Sequence, residues 1–171
     1  MSFEKDQTLP PPDSFYLSGA MGWVDLGLAR EALAELGQIS PANRRHPLVM
    51  QVTWTVWAGI PDWDEALAVA AELTRDHPTA SFGWIHASYS LHELKKTREA
   101  LENLLAVVER FPREYLVPYN LACYCAQLDD LSSAKGWLKK ASALAGPAKI
   151  REMGREDPDL VPVIDYIESL H

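Results

Sequence analysis

The stretch DEALAVA (residues 64–70) decides the fold, because related stretches recur at 34-residue spacing on both sides of it. They read REALAEL (30–36), REALENL (98–104) and SSAKGWL (132–138), and each has an alanine at the same point. The alanines that share this spacing are Ala32, Ala66, Ala100 and Ala134. A fixed period of this length predicts a protein built from stacked structural repeats.

Charge distribution follows the same period. Four windows contain no Asp, Glu, Lys or Arg, and charge-rich segments separate them: the windows are 14–24, 46–61, 77–92 and 115–128. Alternation of charge-poor and amphipathic segments predicts paired helices in which one member is more buried than the other. We expect helices over 14–26, 28–40, 47–59, 63–76, 80–94, 97–110, 116–127, 131–145 and 160–170, with a short one at 148–155.

Helix starts carry their own signals. Asp62 precedes Glu65 by three residues, which is the spacing of a capping box, and Asp130 stands just before the segment 131–144. We expect Thr79 or Ser81 to cap the helix after Pro78, and Thr97 the one after that. The acidic clusters at 62–65, 129–130 and 157–159 are therefore interpreted as caps.

Composition excludes several classes of protein. The chain has 171 residues, of which 47% are hydrophobic and 23% charged, as expected for one globular domain or two very small ones. A net charge of −8 argues against a nucleic-acid partner, which would require a concentrated positive surface. No segment has the length and apolarity of a membrane span, and the start of the chain does not read as a signal peptide. A cytoplasmic location is the expectation.

At this point the sequence resembles the tetratricopeptide repeat (TPR) family, whose unit is a 34-residue helix-turn-helix. The third unit has Trp84, Ser88, Leu91, Ala100 and Pro112 where that family expects them. The resemblance implies an all-α fold, a right-handed α-α superhelix of four repeats with a C-terminal helical cap. The implied organisation is a flexible Pro-rich lead-in (1–12), repeats at 13–46 (degenerate), 47–80, 81–114 and 115–148, and a cap at 149–171.

One departure from the family pattern concerns the small residue at which paired helices approach. Ala20, Ser88 and Ala122 hold this position, but the second unit has Trp54. A tryptophan cannot sit as close to Ala66, so we expect this pair to be splayed or shifted in register.

The family's geometry implies that the first helix of each pair lines a concave groove. The side chains expected there are Leu48, Gln51, Thr55, Phe82, Ile85, His86, Tyr89, Leu116, Tyr119 and Asn120. Phe82, Tyr89 and Tyr119 are the expected aromatic anchors for a partner, and Asn120 and His86 could grip a peptide backbone. Alternatively, these side chains seal one repeat against the next, and Asn120 makes only a local hydrogen bond.

Other chemistry has little support in the sequence. Positions that hold cations in carboxylate-clamp members are here occupied by Leu17, Met21, Val52, Phe82 and His86, so an acidic peptide tail is not the expected ligand. His86, His92 and Glu93 cannot close on one metal ion, and no cofactor motif occurs. Cys123 and Cys125 project in nearly opposite directions on a helix and are interpreted as buried thiols.

These patterns predict a non-catalytic interaction module or adaptor that binds an apolar or aromatic peptide, or a partner helix, in the groove. The alternative is a self-associating scaffold, a homo-oligomer whose groove is filled by another copy or by residues 1–12. An enzyme is not expected, because no catalytic constellation is visible in the sequence.

Overall fold

The computed structural model describes residues 9–171, and the chain divides into two compact units, Met1–Pro78 and Thr79–His171. Regular structure in residues 9–171 is helical throughout, without a β-strand. Part of the predicted flexible lead-in, residues 1–8, lies outside this range. Of its remaining residues, Leu9 is buried in the core of unit 1, so the prediction of a free lead-in is wrong at that position.

Unit 1 contains two helix pairs: α1 (Asp13–Asp25) with α2 (Ala29–Gln38), and α3 (Pro47–Gly59) with α4 (Trp63–Asp76). Unit 2 continues with α5 (Ser81–Glu93), α6 (Thr97–Leu105), α7 (Leu116–Gln127), α8 (Leu131–Ala145), α9 (Pro147–Glu156) and α10 (Ile164–Glu168). Short 3-10 helices occupy Val108–Arg110 and Pro158–Val163. The predicted helix at 160–170 is thus divided, and Pro162, which has no N–H to donate, lies inside its 3-10 part.

The turn inside each helix pair repeats the 34-residue period in the backbone. Positive φ angles occur at Gly27 (71°), Pro61 (29°), Lys95 (63°) and Asp129 (62°), which are 34 residues apart. In each case the next residue's N–H donates across the turn, at 2.9–3.0 Å, to a carbonyl five residues earlier. One turn geometry therefore closes all four pairs.

Packing explains why alanine recurs at the same point. Ala32, Ala66, Ala100 and Ala134 have no solvent exposure, and the residues four positions later are buried as well. A larger side chain at any of these alanines would push the paired helices apart, because protein interiors have almost no free volume.

Helix caps follow the sequence signals only in part. The Asp62 carboxylate accepts from the Glu65 N–H at 3.3 Å, and that of Asp130 from the Ser133 N–H at 3.1 Å, as predicted. The predicted caps of α5 and α6 are wrong, because Ala80 and Lys96 hold those positions and no side chain caps either helix. The Thr97 hydroxyl lies instead 3.0 Å from Nδ1 of His92.

A buried carboxylate joins the ends of the first helix pair in unit 1. Asp13 accepts from the backbone N–H of Ser40 at 3.0 Å and from the Asn43 amide at 2.7 Å, and the Ser40 hydroxyl donates to it as well. These hydrogen bonds, the Ser40 hydroxyl first, lower the pKa of Asp13. The carboxylate thereby ties the start of α1 to the connection that follows α2.

Acidification is expected to weaken this junction. Because the pKa of Asp13 is lower in the folded than in the unfolded chain, its contribution is complete above the unfolded pKa and lost as pH falls through the folded one. Asp13→Asn should therefore be less stable than wild type at neutral pH and should lose less stability between about pH 5 and pH 2. Urea unfolding across that range measures both slopes, and equal slopes would show that Asp13 contributes nothing.

The C-terminal segment, defined here as residues 147–170, belongs to the core of unit 2. Its apolar side chains Ile150, Leu160, Val163 and Ile167 are buried in one cluster with residues of α7 and α8. Arg155 of α9 forms a bidentate ion pair with Glu168, at 2.6 and 2.7 Å. The segment therefore packs on the last helix pair and closes its apolar face.

Two glycines in helices provide a matched test of this packing. A Cβ at Gly154 would lie 2.8 Å from Cδ1 of the buried Ile167, whereas a Cβ at Gly136 of α8 would meet nothing within 4 Å. We expect Gly136→Ala to raise the free energy of unfolding by about 0.5–1 kcal/mol through helix propensity. Gly154→Ala should lower it by about 1–2 kcal/mol, because overpacking outweighs the same gain. Chemical denaturation decides this, and two stabilised variants would contradict the packing of α9 on α10.

Candidate functional site

The first helices of the four pairs share one property, which is the absence of lysine and arginine. Neither residue type occurs in α1, α3, α5 or α7, although the chain contains 16 of them. The pKa of His86 on α5 is lowered, chiefly by burial, so its ring adds no positive charge near neutral pH. These helices therefore present no cationic surface to a partner.

In unit 1 the predicted surface is largely apolar but includes one carboxylate. Met21 is 51% exposed, and it lines a notch of about 140 Å³ together with Val24, Asp25, Val52 and Thr55. The predicted residues Leu48 and Gln51 of α3 are half-buried, with Leu48 packed against the core. Leu17, one turn before Met21, is buried.

In unit 2 two predicted residues of α5 contact each other. The rings of Phe82 and His86 stack with their centroids 3.7 Å apart, and Nδ1–H of His86 donates to the Phe82 carbonyl at 2.8 Å. This donor is used within the helix, so a contact of His86 with a peptide backbone would have to use Nε2. Tyr89, one turn further, is 37% exposed.

Two of the predicted contact residues are not accessible. Ile85 is 4% and Tyr119 5% exposed, and both belong to the core of unit 2. The expectation that Tyr119 is an available anchor is corrected, because its hydroxyl donates to Asp157 of the C-terminal segment at 2.9 Å. Leu116 and Asn120, on either side of it, remain half-buried.

A cavity of about 550 Å³ lies within unit 2 between α5, α7 and the C-terminal segment. Three tyrosines line it, Tyr89, Tyr119 and Tyr124, together with four carboxylates, Glu93, Glu156, Asp157 and Asp159. His92, Lys95, Asn120, Cys123, Met153 and Pro158 complete the lining. Of this lining, the sequence predicted Tyr89, Tyr119 and Asn120 as contact residues, but not Tyr124 or the carboxylates of the C-terminal segment.

Hydrogen bonds hold the C-terminal segment over this cavity. Oδ2 of Asp159 lies 2.8 Å from Nε2 of the buried His92, and the Asp159 carbonyl accepts from the Gln127 amide at 3.0 Å. Asp157 accepts from the Asp159 N–H at 3.0 Å, which is the cap that the sequence predicted, and also from Tyr119. The Asp157 carboxylate thus accepts one hydrogen bond from a residue two positions later and another from a residue 38 positions earlier.

The electrostatic field in the cavity is negative. Burial first, and then Glu93, Asp157 and Asp159, raise the pKa of Tyr89 to about 12. Burial first, and then Cys123, Asp157 and Asp159, raise the pKa of Tyr119. Burial first, and then Cys123, Asp159 and Tyr89, raise the pKa of Tyr124. Each of these tyrosine hydroxyls is therefore harder to deprotonate than a tyrosine in water.

The two thiols are poor nucleophiles. Burial raises the pKa of Cys123 well above its ordinary value, with Asp157 and Asp159 adding to the effect, and burial also raises that of Cys125. A protonated thiol neither attacks an electrophile nor binds a metal efficiently. Within residues 9–171, no group of three or more His, Cys, Asp or Glu side chains could hold a metal ion.

Solved structures with the same arrangement of helices are repeat proteins. The crystal structure of TTC0263, a thermophilic TPR protein in Thermus thermophilus, matches with a TM-score of 0.69 at 19% identity, over 91% of this chain and 90% of that one. MamA 41-end from Desulfovibrio magneticus RS-1 matches with a TM-score of 0.68 at 18% identity, over 93% of both chains. No protein-family model and no curated protein sequence matches the chain. The chain has the all-α helical-repeat fold of TPR proteins, as the resemblance of its sequence implied.

Among residues 9–171, every helix is too short or too polar to cross a membrane.

Proposed function

We propose that the chain is a non-catalytic protein-interaction module that binds an apolar or aromatic segment of a partner along its first helices. The observation that carries this proposal is the absence of lysine and arginine from α1, α3, α5 and α7, combined with exposed apolar side chains on them. Partner helices and extended peptides are recognised by apolar anchors placed in grooves of this kind.

Two further features support the proposal. Met21 and Tyr89 are large side chains that keep a third or more of their surface exposed, so each is accessible to a partner. The protonated thiols Cys123 and Cys125 lack the low pKa of a catalytic nucleophile.

The experiment is a peptide-display selection on the immobilised chain, followed by fluorescence anisotropy of the enriched peptides. We expect enrichment of aromatic and aliphatic residues. Met21→Glu with Thr55→Glu should weaken binding about tenfold or more, because both substitutions add charge to the apolar surface. The matched control is Leu105→Glu with Leu144→Glu, which adds the same charge at exposed positions of α6 and α8. Enrichment of acidic peptides, or equal losses in both pairs, would overturn the proposal.

Self-association is a second candidate, favoured by exposed apolar side chains in unit 1. Phe15 is 68% exposed, and Leu26 and Leu28 are exposed near the turn between α1 and α2. Light scattering over a range of protein concentrations tests this candidate. A mass that rises with concentration and falls on Phe15→Ser with Leu26→Ser would support a homo-oligomer, and a constant monomer mass would reject it.

A further inference from the structure

We propose that the 550 Å³ cavity of unit 2 is a receptor for a cationic group, an alkylguanidinium or alkylammonium, such as the end of an arginine or lysine side chain. This proposal rests on the proposed function for one point, which is that a partner peptide supplies the cation. The cation site itself follows from residues of unit 2 alone.

The first argument is charge. Four carboxylates line the cavity, Glu93, Glu156, Asp157 and Asp159, against a single lysine, Lys95. In the part of the chain that the structure describes, none of the four forms an ion pair with a lysine or arginine. His92 lies 2.8 Å from Asp159, and most of the negative charge at the cavity is not neutralised by a lysine or arginine of residues 9–171. Clefts lined by one sign of charge concentrate ligands of the opposite sign.

The second, independent argument is a buried hydroxyl without a partner. Tyr124 is fully buried on α7, and its hydroxyl has no hydrogen-bond partner among the residues described. The Asn120 side chain is close enough to lower the pKa of this hydroxyl as a hydrogen-bond donor would, but the two groups do not have the geometry of a hydrogen bond. Leaving such a group unpaired is costly, so its presence here points to a ligand that hydrogen-bonds to it.

Tyr124 is itself one of the residues that line the cavity. Cys123, Asp159, Tyr89 and Asn120, which affect the pKa of its hydroxyl, line the cavity as well. A guanidinium or ammonium N–H could donate to the Tyr124 oxygen and to a carboxylate at the same time.

The third argument is the combination of aromatic rings with carboxylates. Three tyrosines line the cavity, and the one that is exposed, Tyr89 at 37%, offers ring surface to a cation, which is attracted to the faces of such rings. A volume of about 550 Å³ lies within the usual size range of small-ligand pockets. An anion would meet the same field as repulsion, and the carboxylates and histidines described do not form a metal-binding group.

The experiment uses the full chain and two small probes of nearly equal shape, ethylguanidinium and its neutral analogue N-ethylurea. Titrations are followed by shifts of backbone amide signals in NMR spectra. We expect ethylguanidinium to shift amides of α5, α7 and the C-terminal segment, and N-ethylurea to bind about tenfold more weakly or more. Equal binding of the two probes, or no shift in these elements, would overturn the proposal.

Variants locate the site. Tyr124→Phe removes only a hydroxyl that has no partner, so the variant keeps its fold, and it should weaken ethylguanidinium binding several-fold. Glu156→Gln should also weaken it, and Lys95→Gln should strengthen it because a competing cation is removed. The matched controls are Tyr166→Phe and Glu152→Gln, which change the same groups outside the cavity and should leave binding unchanged. Equal losses in the controls would contradict the site.

A peptide arm distinguishes the source of the cation. A peptide from the display selection is synthesised with arginine, or with its neutral analogue citrulline, at one position. Tighter binding of an arginine peptide than of both ethylguanidinium and the citrulline peptide identifies a partner protein as the source. If ethylguanidinium binds but the arginine peptide does not bind more tightly, a free small cation is identified as the ligand. The double variant Met21→Glu with Thr55→Glu separates the two proposals. If it loses peptide binding but still binds ethylguanidinium, the apolar surface and the cation site are two independent sites.

Discussion

Leu160→Ala is expected to lower the free energy of unfolding by about 2–5 kcal/mol. Leu160 has no solvent exposure and belongs to the core that the C-terminal segment shares with α7 and α8. Truncation to alanine removes buried methyl groups and leaves a void that rigid helices cannot fill. Urea unfolding followed by circular dichroism measures the loss. The cavity should also loosen, because Asp157 and Asp159 lie on the same segment.

The neighbouring residue provides the control for this variant. Val161 is 63% exposed, so Val161→Ala should change the free energy of unfolding by less than about 0.5 kcal/mol. If Leu160→Ala were as mild as Val161→Ala, the 3-10 helix Pro158–Val163 would not be packed on unit 2.

Trp54→Ala is expected to lower the free energy of unfolding by about 3–5 kcal/mol, the usual cost of removing a large buried aromatic side chain. Trp54 is buried on α3, at the position where the other helix pairs have Ala20, Ser88 and Ala122. The sequence suggested that a tryptophan here splays the α3–α4 pair or shifts its register. Because the ring is only 7% exposed, its removal leaves a large void in unit 1.

Trp57→Ala is the matched control, because Trp57 lies on the same helix and is only half-buried. We expect it to cost clearly less than Trp54→Ala in the same unfolding experiment. A neutral or stabilising Trp54→Ala would show that the ring is a misfit and would favour the splayed pair that the sequence suggested.

The helical repeat could be predicted from the sequence because its causes are local and periodic. The four alanines that recur every 34 residues are buried, and Asp62 and Asp130 cap the helices that they precede. The predicted cap at Thr97 does not form, because its hydroxyl lies against the ring of His92 instead.

The candidate site could be predicted only in part, because its decisive contacts join residues far apart in sequence. The sequence predicted Tyr89 and Tyr119 on the same side of their helices, but it gave no sign that Asp157 would bind the hydroxyl of Tyr119, which is buried, while Tyr89 stays exposed. The Tyr119–Asp157 hydrogen bond spans 38 residues, and the Asp13–Ser40 junction spans 27. Neither pair has a spacing that secondary structure alone would bring together.

The packing of the C-terminal segment on α7 and α8 also determines how the gene could be lengthened. Duplicated helix pairs need an open apolar face on which to stack, and Ile150, Leu160, Val163 and Ile167 already occupy the one that follows α8. An extra 34-residue unit is therefore compatible with this architecture if it is inserted before Gly146, ahead of the segment that covers α8. The C-terminal segment thus occupies the apolar face on which a duplicated helix pair would otherwise stack.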